Sequence, residues 1–473
     1  MMEIFAAYTA QTDYEVGRVL DVLEEIDQMH NTLTIWEIGD NGGSMEGTLN
    51  GCFNEFHEAN GADESTDFLL QHLDELGGPK SNSHYPVGWA WAMNTPFQWG
   101  KQVASHFGGT RNPLVIAWPD RIKDAGGVRT QFHHVIDISP TVLEAAHLPQ
   151  PVEVNGVKQK PIEGISMVYS FDDPKATGTR HVQYFEMFGN RAIYKDGWIT
   201  TARHGIPWIV LGGATGDFDH DKWELYDLAN DFSEANDLSA KDPQKLKELQ
   251  NDFWIEAKKY NVLPLDDRFA ERLDPHLRPS LIAGRTDFSY YAGAIAVPES
   301  SAADTKNTSH TITATIDVPQ SGADGVLVAE GGVAGGYALY IKDGKPIYEY
   351  NYVGQTHTKI ASSKPLSPGA ATIRVDFRYD GGGLGKGGTV TLFINEEKVG
   401  EGRIEKTELA RFGTENFDIG MDNGSPVSDD YQPPFAFDGT IKKLEINIRP
   451  SNLKASDRQK IREAELRSAI AIE

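Results

Sequence analysis

One cysteine, Cys52, stands in 473 residues, so no disulfide can form within the chain. Its surroundings, Asn50-Gly51-Cys52-Phe53-Asn54, lack the spacing of a zinc site, and it reads as a small loop or core residue. No apolar run approaches the roughly 18 residues that a membrane span needs. The opening stretch Met1 to Ala10 has an acid at Glu3, no basic start and no long apolar core, so it reads as no signal peptide. Basic residues are scarce as well. Against 69 Asp and Glu there are 44 Lys and Arg, a formal net charge of −25. That balance argues for solubility and against nonspecific binding to nucleic acid or anionic membrane. An anionic substrate would need a locally positive site.

What is present is ordinary globular material, 39% hydrophobic and 24% charged, enough for two or three domains. The stretch Thr32 to Gly47 organises its first part. Leu33, Ile35, Trp36 and Ile38 form a short apolar run of the kind found in a strand buried on both faces. The run ends at Gly39-Asp40-Asn41-Gly42-Gly43, where the glycines let the backbone bend and approach a neighbour closely. Asp40 and Asn41 thus sit side by side at the carboxyl end of a strand, the ligand-binding end in open α/β sheets. Two adjacent hard oxygen donors suit Ca²⁺ or Mg²⁺. The same residues are turn vocabulary, and an Asx turn is the competing reading.

Upstream, Val16, Val19, Leu20, Leu23 and Ile26 recur at helical spacing, an amphipathic helix feeding the strand. Downstream, a helix is expected from about Thr66 to Leu76, with Phe68, Leu69, Leu73 and Leu76 on one face and Gly77-Gly78-Pro79 as its stop. The aromatic stretch Ser83 to Ala92 either lines a pocket or joins the core. Leu114 to Trp118 reads as another buried strand, ended by Pro119. The pair His133-His134 is read as structural, with a packing helix from about Ser139 to Ala146. Val182 to Ala202 and Glu224 to Leu228 read as a small antiparallel set, followed by a helix from Asp242 to Tyr260 with Leu246, Leu249, Phe253 and Ala257 inward.

Asn261 to Arg285, with three prolines and mixed charge, reads as a linker wrapped on the first domain. From Thr286 short strand-like runs alternate with Gly, Asp and Asn turns, which predicts a β-sandwich of jelly-roll type. The expected division is 1–265, a linker 266–285, a sandwich 286–449 and a charged tail 450–473 that forms a frayed helix with Leu466 and Ile470 as weak anchors. Tyr337, Tyr340, Tyr348, Tyr350 and Tyr352 are read mostly as inter-sheet core, with a sugar-binding face as the alternative. Asp418, Asp422, Asp429 and Asp430 are read as a solvated acidic turn, with a structural Ca²⁺ as the alternative.

Asp40-Asn41-Gly42-Gly43 after an apolar strand resembles the second metal-binding motif of the formylglycine-dependent sulfatases. So do Asn94-Thr95-Pro96-Phe97-Gln98-Trp99-Gly100-Lys101, the run His106 to Leu114 with Gly108-Gly109-Thr110-Arg111-Asn112-Pro113, and Ala117-Trp118-Pro119. The likeness is to the arylsulfatase type of the alkaline phosphatase-like superfamily and runs from about Ala6 to Asp267. It implies an α/β sandwich, N-terminally truncated, ahead of the all-β domain. It implies metal ligation by Asp40 and Asn41, with Ca²⁺ or Mg²⁺ as the ion. It implies a sulfate contact from Lys101, and His106 either donating to the leaving oxygen or bracing the loop.

The family's aldehyde nucleophile is made from a C/S-x-P/A-x-R motif, which this chain lacks. Cys52 has neither the proline nor the arginine, and Ser363-Lys364-Pro365-Leu366-Ser367 ends in serine. The N-terminal acidic metal pair and the lysine-histidine pair are also missing. The resemblance therefore implies the C-terminal portion of a sulfuric ester hydrolase, inactive alone. Its expected partners are a sulfate-ester small molecule or sulfated glycan and a separate N-terminal sulfatase chain; intact family members are often periplasmic or secreted. Two other readings stay open: a non-catalytic carbohydrate-binding protein acting through the sandwich, and a related phosphoryl or phosphonate hydrolase.

Overall fold

The computed structural model of the chain describes residues 1–62, 64–205, 216–268, 280–449 and 453–470. Six helices come first: α1 (Met2–Glu25), α2 (Phe56–Ala59), α3 (Thr66–Gln71), α4 (Val87–Asn94), α5 (Phe107–Thr110) and α6 (Ile138–Ala145). The apolar stripe read from the sequence does form a helix in α1, yet none of its side chains is buried. Val19, Val22 and Ile26 are 63%, 52% and 56% exposed. In α3, Ser65 caps the first turn by accepting from the Phe68 amide. The helix stops at Gln71 rather than Leu76, because Leu69 is buried while Leu73 has no layer to pack on and stays 57% exposed.

Two strands, β1 (Thr34–Glu37) and β2 (Leu114–Ala117), pair antiparallel with Thr34 opposite Ala117 and Glu37 opposite Leu114. They were expected to be buried on both faces, and they are not. The sheet has two strands, so only one face finds a layer. On that face Leu33 and Ile116 pack with Trp118, Met167, Phe171 and Ile138 of α6. On the open side Val115 is 51% exposed, and Leu114, at the strand's end, is 40% exposed. A short hairpin, β3 (Glu153–Val154) and β4 (Val157–Lys158), follows on the surface.

The small antiparallel set forms as the alternation demands. β5 (Val182–Met187), β6 (Asn190–Lys195), β7 (Trp198–Ala202) and β8 (Trp223–Asp227) make one sheet in that order. Across it lies α7 (Pro243–Lys259), started by Asp242, whose side chain accepts from the Lys245 amide at 2.9 Å. Leu249, Phe253 and Ala257, spaced four apart on one face, are buried against Ile193 and Leu225. Burying side chains such as Leu249 and Phe253 stabilises the unit by roughly 1.5–3 kcal/mol each.

From Asp287 the chain builds two antiparallel sheets. One has six strands in the order Glu397–Lys406, Lys386–Ile394, Gly369–Tyr379, His310–Val318, Thr440–Ile448 and Asp287–Tyr290. The other has five, Thr356–Ala361, Lys345–Tyr352, Gly335–Lys342, Gly325–Gly332 and Phe417–Ile419. Inward residues of both, such as Ile312, Ile316, Leu339, Ile373 and Leu392, share one core. Tyr337, Tyr340, Tyr348, Tyr350 and Tyr352 are all buried. The acidic turn is solvated only in part: Asp429 is exposed and Asp430 half-buried, but Asp418 and Asp422 are each 1% exposed. Asp418 accepts from the Ala296 and Asn423 amides, and Asp422 from the Val427 amide and the Tyr431 hydroxyl, so backbone donors replace the water expected there.

The sandwich is tied to the first part by the loop ahead of α3. Asn60 is 2% exposed and its side-chain Oδ1 accepts from the amides of Leu409, Ala410 and Arg411. Asn54 donates to the carbonyls of Ala334 and Val353, and His57 stands 2.9 Å from the Val353 carbonyl. Of the expected linker, residues 269–279 lie outside the described residues. The tail does form a helix, Ala455–Ile470, while the side chains of Leu466 and Ile470 lie outside the described residues.

Candidate active site

The Gly39–Gly43 turn leaves β1 and runs directly alongside the loop that carries Lys101. Backbone groups join them: Lys101 N donates to Gly43 O at 3.2 Å, and Gly42 N donates to Gly109 O at 3.2 Å. The side chain of Asn94, at the end of α4, closes the junction. Its Oδ1 accepts from Gly43 N at 2.9 Å and its Nδ2 donates to Trp99 O at 2.9 Å. This approach requires glycine. A Cβ on Gly42 would lie 1.7 Å from Gly108 O, and one on Gly108 would lie 2.1 Å from Gln98 O. Two non-glycine residues beside Lys101, Trp99 and Gln102, take left-handed φ values of 68° and 70°. Such conformations cost of order 1 kcal/mol or more and persist where the surroundings impose them.

As a result Asn41 and Lys101, sixty residues apart in the chain, line one cavity of about 480 Å³ together with Gln102, Thr110, His134, Glu163, Arg180 and the β5 strand. Asp40, one residue earlier, is exposed. The Lys101 side chain is 12% exposed and its Nζ lies 3.6 Å from Glu46 Oε1. His106, 2% exposed, sits behind the loop. Its Nε2 is 3.2 Å from Glu224 Oε2 and its Nδ1 is 2.9 Å from Ser105 Oγ. The hydrogen bond from His106 holds the Glu224 carboxyl down at about 2, aided by Lys222 and Tyr226. Arg111 stacks over Phe97, Phe107 and Phe232 at 5.0, 5.3 and 5.7 Å.

The histidine pair is structural, and Asp137 is the reason. This carboxylate is wholly buried, which pushes it up, but bonds from His133, Arg180 and the Ile165 and His134 amides outweigh burial and hold it well below the usual range. Arg180 is thereby fixed in the cavity wall, with Nη1 donating to Gln183 at 3.0 Å. Burial, then Arg180, lowers His134. The aromatics of α4 neither enter the core nor line the cavity: Trp89 and Trp91 are 49% and 41% exposed.

For a hard cation the fit is partial. Asp40 and Asn41 offer two adjacent oxygen donors, and no group of three or more His, Cys, Asp or Glu suited to a metal occurs among the described residues. Calcium takes six to eight oxygens, so this chain's side chains do not complete its shell. Sequence reasoning passed over Glu46, Ser44, His84, Asn94 and Glu234. Ser44 and Glu46 directly follow the motif turn and were within reach; His84 and Glu234 carry no local signal and are recruited by the fold. Glu234 is wholly buried, accepts from Phe107 N at 2.9 Å, and burial raises it to about 8.

Comparison with known proteins gives the following. A family model described as "Sulfatase" matches residues 2–148, and one described as "N-sulphoglucosamine sulphohydrolase, C-terminal" matches residues 103–261. An uncharacterized sulfatase of Schizosaccharomyces pombe is 30% identical over 285 residues, 58% of this chain and 46% of that protein. An N-acetylglucosamine-6-O-sulfatase of Bacteroides thetaiotaomicron is 28% identical over 160 residues, 33% of this chain and 27% of that protein. The chain thus spans less than half the length of these curated relatives. Among solved structures, Ps i-CgsB in complex with k-i-k-neocarrahexaose matches at 18% identity and a TM-score of 0.35, covering 56% of this chain and 45% of that one. The CBM40 of a Ruminococcus gnavus IT-sialidase matches at 15% identity and a TM-score of 0.25, covering 38% of this chain and 97% of that one.

Proposed function

The chain belongs to the sulfatase family through residues 2–261, and on that footing we propose that it supplies one wall of a sulfuric ester hydrolase site. The observation that carries this reading is the junction of the two motif loops, which brings Asn41 and Lys101 to one cavity. In this reading the Lys101 ammonium contacts a sulfate oxygen as a compact charge with three donors. The Asn41 amide faces the same group, and Asp40 with Asn41 contributes part of the shell of a Ca²⁺ or Mg²⁺ ion, which would offset negative charge on the sulfuryl group. His106 braces the Lys101 loop, since both of its ring nitrogens are engaged behind it. The substrate is a sulfate ester, either a small aryl ester or a sulfated glycan. One relative, named N-acetylglucosamine-6-O-sulfatase, favours a sugar.

Turnover requires parts that these residues do not supply. The aldehyde motif is absent from the sequence, and the cation shell is half made. The open side of β1 and β2, with Ile38 and Val115 exposed, and the uncovered stripe of α1 together fit a further polypeptide layer. A separate chain carrying the N-terminal half of a sulfatase is the proposed occupant. The carbohydrate-binding alternative loses its surface, because its tyrosines are buried. The test is turnover of 4-nitrophenyl sulfate and of a sulfated glucosamine with Ca²⁺ present. The purified chain alone should give none, and a co-expressed chain carrying the aldehyde motif should restore it. Metal-dependent turnover by the chain alone would overturn the reading.

A further inference from the structure

Glu46 follows the motif turn by three residues and has no role in the reading above. Its side chain is 5% exposed, and it faces the Lys101 loop rather than solvent. Oε1 accepts from Gln102 Nε2 at 3.1 Å and lies 3.6 Å from Lys101 Nζ, so one carboxylate holds two successive residues of that loop. Oε2 accepts the Ser44 hydroxyl. Ser44 Oγ is in turn 2.7 Å from His84 Nε2, and Ser44 N donates to the Tyr85 hydroxyl at 3.1 Å. His84 Nδ1 is 2.8 Å from Tyr85 O; a carbonyl can only accept, so Nδ1 carries the hydrogen. Glu46 is therefore itself held from behind.

We infer that Glu46 is a positioning residue for Lys101, holding the ammonium at the cavity wall until an anionic group displaces the contact. Two features point this way beyond simple structure. First, the contacts differ in kind. The contact to Gln102 is a hydrogen bond at 3.1 Å, and it sits on a residue held in the left-handed region. The contact to Lys101 is longer than a hydrogen bond, so the amine is attracted without being locked. Second, Lys101 lines the cavity while Glu46 is not among the residues that line it, so Lys101 is the member of the pair that an entering anion meets. The inference rests on Lys101 being the sulfate contact.

The test reads Lys101 directly on the full chain, by mass spectrometry after brief acylation with a lysine-directed N-hydroxysuccinimide ester. Glu46→Gln should raise Lys101 labelling roughly fivefold, the loss of one ion pair, while leaving exposed Lys222 unchanged; Glu46→Asp should return it near the parent rate. Should Glu46→Gln fail to fold by circular dichroism, Ser44→Ala, which loosens Glu46 without removing its charge, should give a smaller rise in the same direction. Equal Lys101 labelling in the parent and both folded variants, or a rise shared by Lys222, would overturn the inference. Protection of Lys101 by millimolar sulfate tests the underlying reading separately. A Glu46 effect without sulfate protection sinks the sulfate contact, and with it the displacement by an anion, and leaves only the Glu46–Lys101 ion pair.

Discussion

Asn94→Ala should separate the two motif loops without touching any group on the cavity wall. The Asn94 amide gives one bond to each loop, from Gly43 N and to Trp99 O, both at 2.9 Å. A neutral hydrogen bond contributes about 1 kcal/mol net. Losing both removes about 2 kcal/mol from the junction, or about 30-fold in its local opening equilibrium. Asn94→Asp sharpens the test. It keeps an acceptor for Gly43 N but replaces the donor with a second acceptor facing the Trp99 carbonyl, so it should cost at least as much as alanine. Amide hydrogen exchange on peptides spanning residues 40–44 and 98–102 reads the effect directly. Protection in Asn94→Ala within twofold of the parent, or an Asn94→Asp variant indistinguishable from it, would refute the view that this side chain joins the loops.

Glu234 predicts a pH dependence. Burial raises it from 4.5 to about 8, so the folded chain holds a proton that the unfolded chain releases above 4.5. The stability this contributes is complete below about 4.5 and is lost progressively as pH rises from there to about 8, on the order of 5 kcal/mol in all. Thermal melting from pH 5 to 9 should show that loss in the parent and a flatter profile in Glu234→Gln, which still accepts from Phe107 N; identical slopes would contradict it. Asn60 predicts a mechanical role. Asn60→Ala strips the partner from three amides of the sandwich at 3.0 to 3.3 Å and a donor from Arg411 O at 2.7 Å, a cost of about 3 kcal/mol. Limited proteolysis should then cut within residues 52–62 faster while the sandwich strands stay intact.

Much of the fold was legible because burial repeats with a period. The four-residue spacing of Leu249, Phe253 and Ala257 specified α7, and alternation marked the central strands of the sandwich. The strands that escaped notice, Asp287–Tyr290, Thr356–Ala361 and Glu397–Lys406, all lie at sheet edges, where polar side chains erase the pattern. β1 and β2 failed in the opposite sense. Their apolar runs promised burial on both faces, but burial depends on what lies opposite, and a two-stranded ribbon provides one covered face. Within the site, the motif residues could be read from order and spacing. Asn94 stands in a motif and Glu46 just after one, but what they and His84 hold could not be read, since those contacts join segments 40 to 56 residues apart.

The charge on the cavity wall decides how this surface can bind an anion. Three basic side chains line it, Lys101, Arg180 and His134. Lys101 faces Glu46, Arg180 is spent on buried Asp137, and burial with Arg180 nearby lowers His134 and favours its neutral form. Three acids, Glu163, Glu186 and Glu256, line the same cavity on a chain of net charge −25. Desolvating a sulfate ester against such a wall is unfavourable unless positive charge is added where the ester sits. In the proposed reading a divalent ion at the neighbouring oxygens of Asp40 and Asn41 would bring it. Sulfate affinity of the chain should therefore depend steeply on divalent cation, and Lys101 should gain weight as an anion contact when that charge arrives.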